Sequence, residues 1–221
     1  MTSPESLDDI ARDVQACTRC RLHQTRTRGV PGEGSGTAEV LFIGEGPGFN
    51  EDQQGRPFVG AAGQLLNQML DRIGFRREDV FITNVVRSRP PGNRDPMTDE
   101  LAACDVYTVR QLAVLKPKLI VTLGRFSMAR FFGPTVRITQ VHGQTTLWNG
   151  ITCIAMFHPA AVLRSNSPAM RQSYEADFQR IPSLLEQLRT QPPAPKTERA
   201  VGPDQLDAAR AEPGPKQPRL L

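Results

Sequence analysis

The sequence predicts an α/β fold of three layers, with helices on both faces of a central, mostly parallel four-stranded sheet. Three observations predict it. Short apolar runs rich in β-formers recur at 39–43, 80–83, 118–123 and 151–156. Between them lie longer stretches whose apolar residues repeat at helical spacing. Strand–helix alternation of this kind is the pattern of crossover connections, which lay strands parallel and cover both sheet faces with helices.

In chain order, Ser3-Pro4 is suited to cap a first helix whose apolar face is Leu7, Ile10 and Val14. The first strand, EVLFI at 39–43, runs into the glycine-rich GEGPG at 44–48 and then into ten or so polar or glycine residues, read as an elaborated site loop. Residues 61–73 put Leu65, Leu66, Met69, Leu70 and Ile73 on one helical face. VFIT at 80–83 is the second strand, and a helix over 99–115 starts at Thr98. KLIVTL at 118–123 is followed by a helix over 125–132. The Asn149-Gly150 turn pairs the run near 144–148 antiparallel with ITCIAM at 151–156, and a last helix covers about 169–188.

The length, 221 residues, suits one domain, placed at 1–190. Residues 191–221 hold seven of the nineteen prolines and almost no periodic apolar residues, so this tail is expected to be disordered. No run approaches the roughly 20 apolar residues of a membrane span and no basic leader precedes an apolar stretch, which points to a cytoplasmic protein without membrane association. The net charge of +4 permits a nucleic-acid partner without requiring one. Four cysteines, Cys17, Cys20, Cys104 and Cys153, without a secretory signal argue for metal ligation or burial rather than disulfides.

In open α/β sheets ligands bind beyond the carboxyl ends of the strands. Three chemically loaded segments follow strands here: GEGPG after the first, Asn84 after the second and His158-Pro159 after the hairpin strand. All three should crowd one rim. GEGPG is neither a dinucleotide fingerprint, since Phe49 stands at the third glycine position, nor a Walker loop, since no Gly-Lys-Ser/Thr follows. These failures count against a nucleotide-binding redox protein.

"GEGPGFNEDQQGRPFVGAAGQLLNQML", "FITNVVRSRPPGNRDP" and "FHPAAVLR", in that order, resemble the motifs of uracil-DNA glycosylases, most nearly the family 4 type. The resemblance covers residues 14–188. It implies a glycosylase fold and an enzyme that flips uracil out of single- or double-stranded DNA and hydrolyses the N-glycosidic bond, acting as a monomer and leaving an abasic site. The alternative is a DNA-damage binding protein that keeps the pocket without turnover.

By resemblance Phe58 stacks on the uracil, Asn84 reads its edge and His158 donates to the developing O2 anion. Backbone N–H groups at Glu45 and Gly46 add donors. Unlike the family 1 enzymes, this chain has Gly46 and Gly48 where an aspartate and a tyrosine stand. Water activation therefore falls to Glu45, Glu51 or Asp52, and exclusion of the thymine methyl to Glu51. The basic loop with Arg87, Arg89 and Arg94 is read as phosphate-binding, and Leu163 or Arg164 as the wedge entering the gap left by the flipped base.

Family 4 enzymes ligate a [4Fe–4S] cluster through four cysteines. Carried over, the ligands are Cys17, Cys20 and Cys104, while Ser88 stands at the fourth position. A serine oxygen is a poorer iron ligand than a thiolate, because its proton is far harder to remove. A cluster is expected nevertheless, with Cys153 left to the core.

Overall fold

The computed structural model describes residues 4–190. Its sheet has six strands, β1 (Glu33–Gly34), β2 (Val40–Gly44), β3 (Phe81–Asn84), β4 (Leu119–Leu123), β5 (Thr145–Trp148) and β6 (Ile151–Met156), in the order β1-β3-β2-β4-β6-β5. The four central strands β3, β2, β4 and β6 are mutually parallel and are the four the sequence predicts. β5 pairs antiparallel with β6 through the Asn-Gly turn, as expected. The count of four is corrected to six by adding this hairpin strand and β1, an antiparallel edge too short to show any alternation.

Successive side chains of a strand point to opposite faces, and both faces are buried here. On β2, Phe42 joins one core with Leu66, Met69 and Leu70 of helix α3 (Ala61–Arg72) and with Tyr174 and Phe178 of helix α8 (Pro168–Thr190). Leu41 and Ile43 join the opposite core, with Leu112 and Leu115 of helix α4 (Thr98–Leu115) and Phe131 of helix α5 (Arg125–Phe132). A third cluster packs Ile10 and Val14 of helix α1 (Leu7–Ala16) against Cys104 and Tyr107 of α4.

The N-cap of α1 is Ser6 rather than Ser3. The Ser6 hydroxyl accepts from the Asp9 amide at 3.2 Å, and the Asp9 carboxylate accepts from the Ser6 amide at 2.9 Å. The long loop after β2 contains a short helix, α2 (Phe49–Gln54), which its polar sequence concealed. Two further short helices are α6 (Ile138–Val141) and α7 (Pro159–Arg164). The expected tail at 191–221 lies outside the described residues. No helix among the described residues is long and apolar enough to cross a membrane.

Candidate active site

The carboxyl ends of β2, β3, β4 and β6 open on one cavity of about 510 Å³, within the size range of small-molecule sites. Glu45, Gly46, Phe58, Asn84, His158 and Arg164 line it, so the three loaded segments do converge.

Glycine at 44 is a packing requirement. Gly44 pairs in register with Asn84, and a Cβ there would overlap the Phe58 ring and come within 2.5 Å of Asn84 Oδ1. Phe58 itself is held at φ 51°, a left-handed conformation rare for a bulky residue. Its buried ring faces the His158 ring, with centroids 5.7 Å apart and planes 29° apart.

The loop carrying Phe58 is tied down by Glu51. One carboxylate oxygen accepts from the Gly48 amide at 3.1 Å, and the other from the Val59 and Gly60 amides at 2.9 and 2.8 Å. Buried Asp52 accepts from the Thr27 and Arg28 amides at 2.9 and 3.4 Å. Of the three carboxylates expected near the water, two are thus engaged by backbone and Asp52 does not line the cavity. Glu45 does. Burial, and then Asp95, push its pKa above the ordinary value, while Arg125 and Arg164 oppose the rise.

Asn84 is 1 % exposed, and its Oδ1 is buried without a hydrogen-bond partner among the described residues. An unpaired buried polar atom costs roughly 1–3 kcal/mol, so its presence in a cavity wall calls for a ligand. The N-cap of α7 is His158, and its Nδ1 accepts from the Ala160 amide at 3.1 Å. That bond puts the ring proton on Nε2. Burial, reinforced by Arg164 and opposed by Glu51, lowers the His158 pKa to about 4, so the ring at neutral pH is an uncharged donor. Gly124, at φ 92°, lets the chain pass His158, since a Cβ there would sit 2.9 Å from His158 Cβ. The cavity can therefore meet a planar heterocycle with an amide edge on one side and an N–H donor on the other.

The basic residues divide. Arg89 lies over the exposed Phe49 ring at 5.2 Å and donates to Asn93 Oδ1 at 2.7 Å. Arg164 is exposed and lines the cavity, and Leu163 beside it is 47 % exposed. Arg94 lines the cavity but forms a two-pronged ion pair with buried Glu100, at 2.8 and 2.6 Å. Arg87 corrects the phosphate-binding reading, because it is 1 % exposed and points inward to Thr108 and Gln111.

Cys17, Cys20, Cys104 and Ser88 line a second, smaller cavity, together with Arg87, His23 and Arg26. Burial raises the pKa of Cys20 and Cys104. Among the described residues no three His, Cys, Asp or Glu side chains are grouped to hold a single metal ion. The Arg87 amide donates to Cys104 Sγ at 3.2 Å, and among the described residues Arg87 Nε and Nη1 are buried without partners and no carboxylate is bonded to this cation. Three thiols beside an amide donor and a buried cation are a donor set whose chemistry suits an iron–sulfur cluster. At the fourth position, the Ser88 hydroxyl accepts from Arg26 at 2.9 Å. Cys153 is fully buried in the core, where burial raises its pKa to about 12.

Sequence reasoning missed Gly124, Arg125 and Asp95 as cavity residues. The glycine after β4 was the available signal, because the strand-end rule applies to β4 as much as to its neighbours.

Residues 31–179 match the model of the uracil DNA glycosylase superfamily. A type-4 uracil-DNA glycosylase of Archaeoglobus fulgidus is 48 % identical over 188 residues, covering 81 % of this chain and 94 % of the relative. Relatives of the same description occur in Sulfurisphaera tokodaii, 48 % identical over 189 residues (81 % and 85 % covered), and in Thermotoga maritima, 42 % identical over 186 residues (83 % and 97 % covered).

Proposed function

The chain belongs to the uracil DNA glycosylase superfamily, and from that premise we propose that it is a hydrolase that excises uracil from DNA, leaving an abasic site. The observation that carries the reading is the pairing, in one cavity, of an Asn84 Oδ1 without a partner among the described residues with a neutral His158 whose Nε2 holds the proton.

The glycosidic bond is inaccessible in a stacked duplex, so the nucleotide must leave the stack to reach the cavity. Phe58 gives the extruded base a face. The Asn84 carboxamide accepts from uracil N3–H and donates to O4, whereas cytosine presents the opposite polarity at both atoms. Two mispaired buried groups at roughly 1–3 kcal/mol each are enough to reject it. The position of Glu51 in the cavity wall supports its role as the barrier to a methyl group at C5.

As the bond from C1′ to N1 breaks, its electron pair leaves with the base and spreads to O2. His158 Nε2–H meets that charge without having to lose a proton first. Water adds to C1′ of the oxocarbenium-like sugar, and Glu45 is placed to stabilise that cation and to accept the water proton. Among the described residues no lysine lines the cavity, which supports a monofunctional reaction without a Schiff-base step. Arg89, Arg164 and Leu163 serve the DNA strand around the flipped nucleotide.

Cys17, Cys20 and Cys104 would hold a [4Fe–4S] cluster, with Ser88 at the fourth position. Bound there, the cluster would supply an anionic cross-link joining the segment after α1 to α4 and to the loop after β3. Arg87 would balance its charge, and through Val86, which packs under Gly46, the same segment supports the catalytic loop.

The test is to incubate the purified protein with an end-labelled oligonucleotide holding one deoxyuridine and then to treat it with alkali. Cleavage at that position, lost in Asn84→Ala and His158→Ala, is the expected result. An intact oligonucleotide from well-folded wild-type protein would refute the reading.

A further inference from the structure

Among the described residues large apolar side chains are exposed at five positions, and three of them, Phe49, Met97 and Leu163, directly adjoin residues that line the catalytic cavity. Phe49 is the most exposed of the five, at 57 %. It is the first residue of α2, next to Gly48 in the cavity wall. A lone exposed apolar residue calls for no explanation, but a phenylalanine held in place at the mouth of a site does.

The ring is held from one side. The Arg89 guanidinium lies over it at 5.2 Å from the centroid and is itself fixed by Asn93 at 2.7 Å. Asn93 lines the cavity, so the stack of Asn93, Arg89 and Phe49 is continuous with the catalytic site. Such a stack leaves the rest of the ring to solvent and places a positive charge beside it. Nucleic acid offers the matching pair of features, a base with a π face and a phosphate with negative charge.

We propose that Phe49, backed by Arg89, is a stacking platform for a base adjoining the extruded uridine, so that the enzyme grips the strand beside the lesion as well as the lesion itself. The proposal rests on the glycosylase reading of the cavity. It differs from the wedge role read for Leu163 or Arg164, which concerns the gap the uracil vacates. It also gives α2 a function: Glu51 anchors its first turn to Val59 and Gly60, so the platform and the Phe58 loop move as one piece. Stacking on a bare base is available in a single strand at no cost, whereas in a duplex the neighbour must first leave its own stack. Phe49 therefore favours single-stranded or distorted DNA.

The test is a double-mutant cycle on equilibrium binding. Full-length wild-type protein, Phe49→Ala and Phe49→Trp are titrated with fluorescent single-stranded oligonucleotides carrying one 2′-fluoro-deoxyuridine, whose fluorine slows cleavage. In parallel probes the base on one side or the other of that nucleotide is deleted. Phe49→Ala should weaken binding of the complete oligonucleotide about tenfold, and Phe49→Trp should bind as well as wild type or better. Deleting the neighbouring base on the correct side should weaken wild type by a similar factor and leave Phe49→Ala nearly unaffected. Losses that multiply to about a hundredfold when combined, or an unchanged Kd for Phe49→Ala, would overturn the proposal. Wild-type protein that leaves deoxyuridine intact in the alkali assay would instead overturn the glycosylase reading, and the binding cycle reports separately from that result.

Discussion

Each of the two cavities is lined by a residue that has a buried polar group without a partner among the described residues. For the catalytic cavity the residue is Asn84, through Oδ1, and for the cysteine cavity it is Arg87, through Nε and Nη1 of a guanidinium that also reaches Thr108 and Gln111. The first is neutral and stands in a space large enough for a nucleotide's base, beside backbone kept close by glycine. The second is a cation buried at 1 % exposure, with a small space around three thiols. A neutral orphan tolerates the intervals between substrates, while a buried unpaired charge is far more costly and calls for a permanent counterion. On the proposed reading the difference separates a site that turns over from a site that stays filled, and it suggests experiments on each.

The largest effect should come from His158→Ala. Removing one preorganised donor to a developing anion costs roughly 10²–10³-fold in rate, to be read as the single-turnover rate on deoxyuridine DNA. A loss below tenfold would move the charge-stabilising role elsewhere in the cavity. The same residue has a stability signature. With its folded pKa at about 4, below the ordinary value near 6.5, the unfolded chain takes up the proton first. Stability is thus fully present above about pH 6.5 and falls as pH drops toward 4. His158→Gln should flatten that fall, as measured by urea unfolding at several pH values.

Next in size is Glu45→Gln. Burial raises the Glu45 pKa above its ordinary 4.5, so if its carboxylate serves the sugar cation and the water, wild-type kcat should fall on the acid side with a midpoint above that value. The variant should be slower by about 10²-fold and should lack that limb. An identical acid limb in the variant would assign the titration to another group.

In the cysteine cavity, Ser88→Cys should increase the iron retained after exposure to air, with little change in glycosylase rate. Arg87→Leu should lower iron content even when the protein is prepared without oxygen. Equal iron in wild type and both variants would break the contrast drawn between the two cavities.

The smallest effect on chemistry belongs to Glu51→Gln. It weakens three amide contacts and should cost about 1–3 kcal/mol of stability, seen as a lower Tm, while the rate at a temperature well below unfolding changes only a fewfold. A large rate loss with an unchanged Tm would return Glu51 to direct participation in catalysis.

Much of this arrangement was legible in the sequence. The four parallel strands announce themselves as apolar runs, and the strand-end rule brings Asn84, GEGPG and His158 together before any coordinates. β1 was not legible, because two residues, Glu33 and Gly34, carry no alternation. α2 was hidden because Phe49–Gln54 is polar and starts at a glycine rather than at a conventional cap. Arg87 was misread because a basic loop does not reveal which of its arginines turn inward; that depends on Thr108 and Gln111, more than twenty residues away in the chain. The engagement of Glu51 was invisible for a similar reason, as its partners are backbone amides of another turn.

The central claim, that Asn84 reads the base whose leaving charge His158 receives, is tested most directly by single-turnover excision from oligonucleotides carrying deoxyuridine, 3-methyldeoxyuridine or deoxycytidine. Wild-type protein should excise uracil alone. In Asn84→Ala the rate on deoxyuridine should fall by about 10- to 100-fold toward the other two, as the loss of paired groups at roughly 1–3 kcal/mol implies. Undiminished excision of uracil by Asn84→Ala, with selectivity intact, would contradict the account.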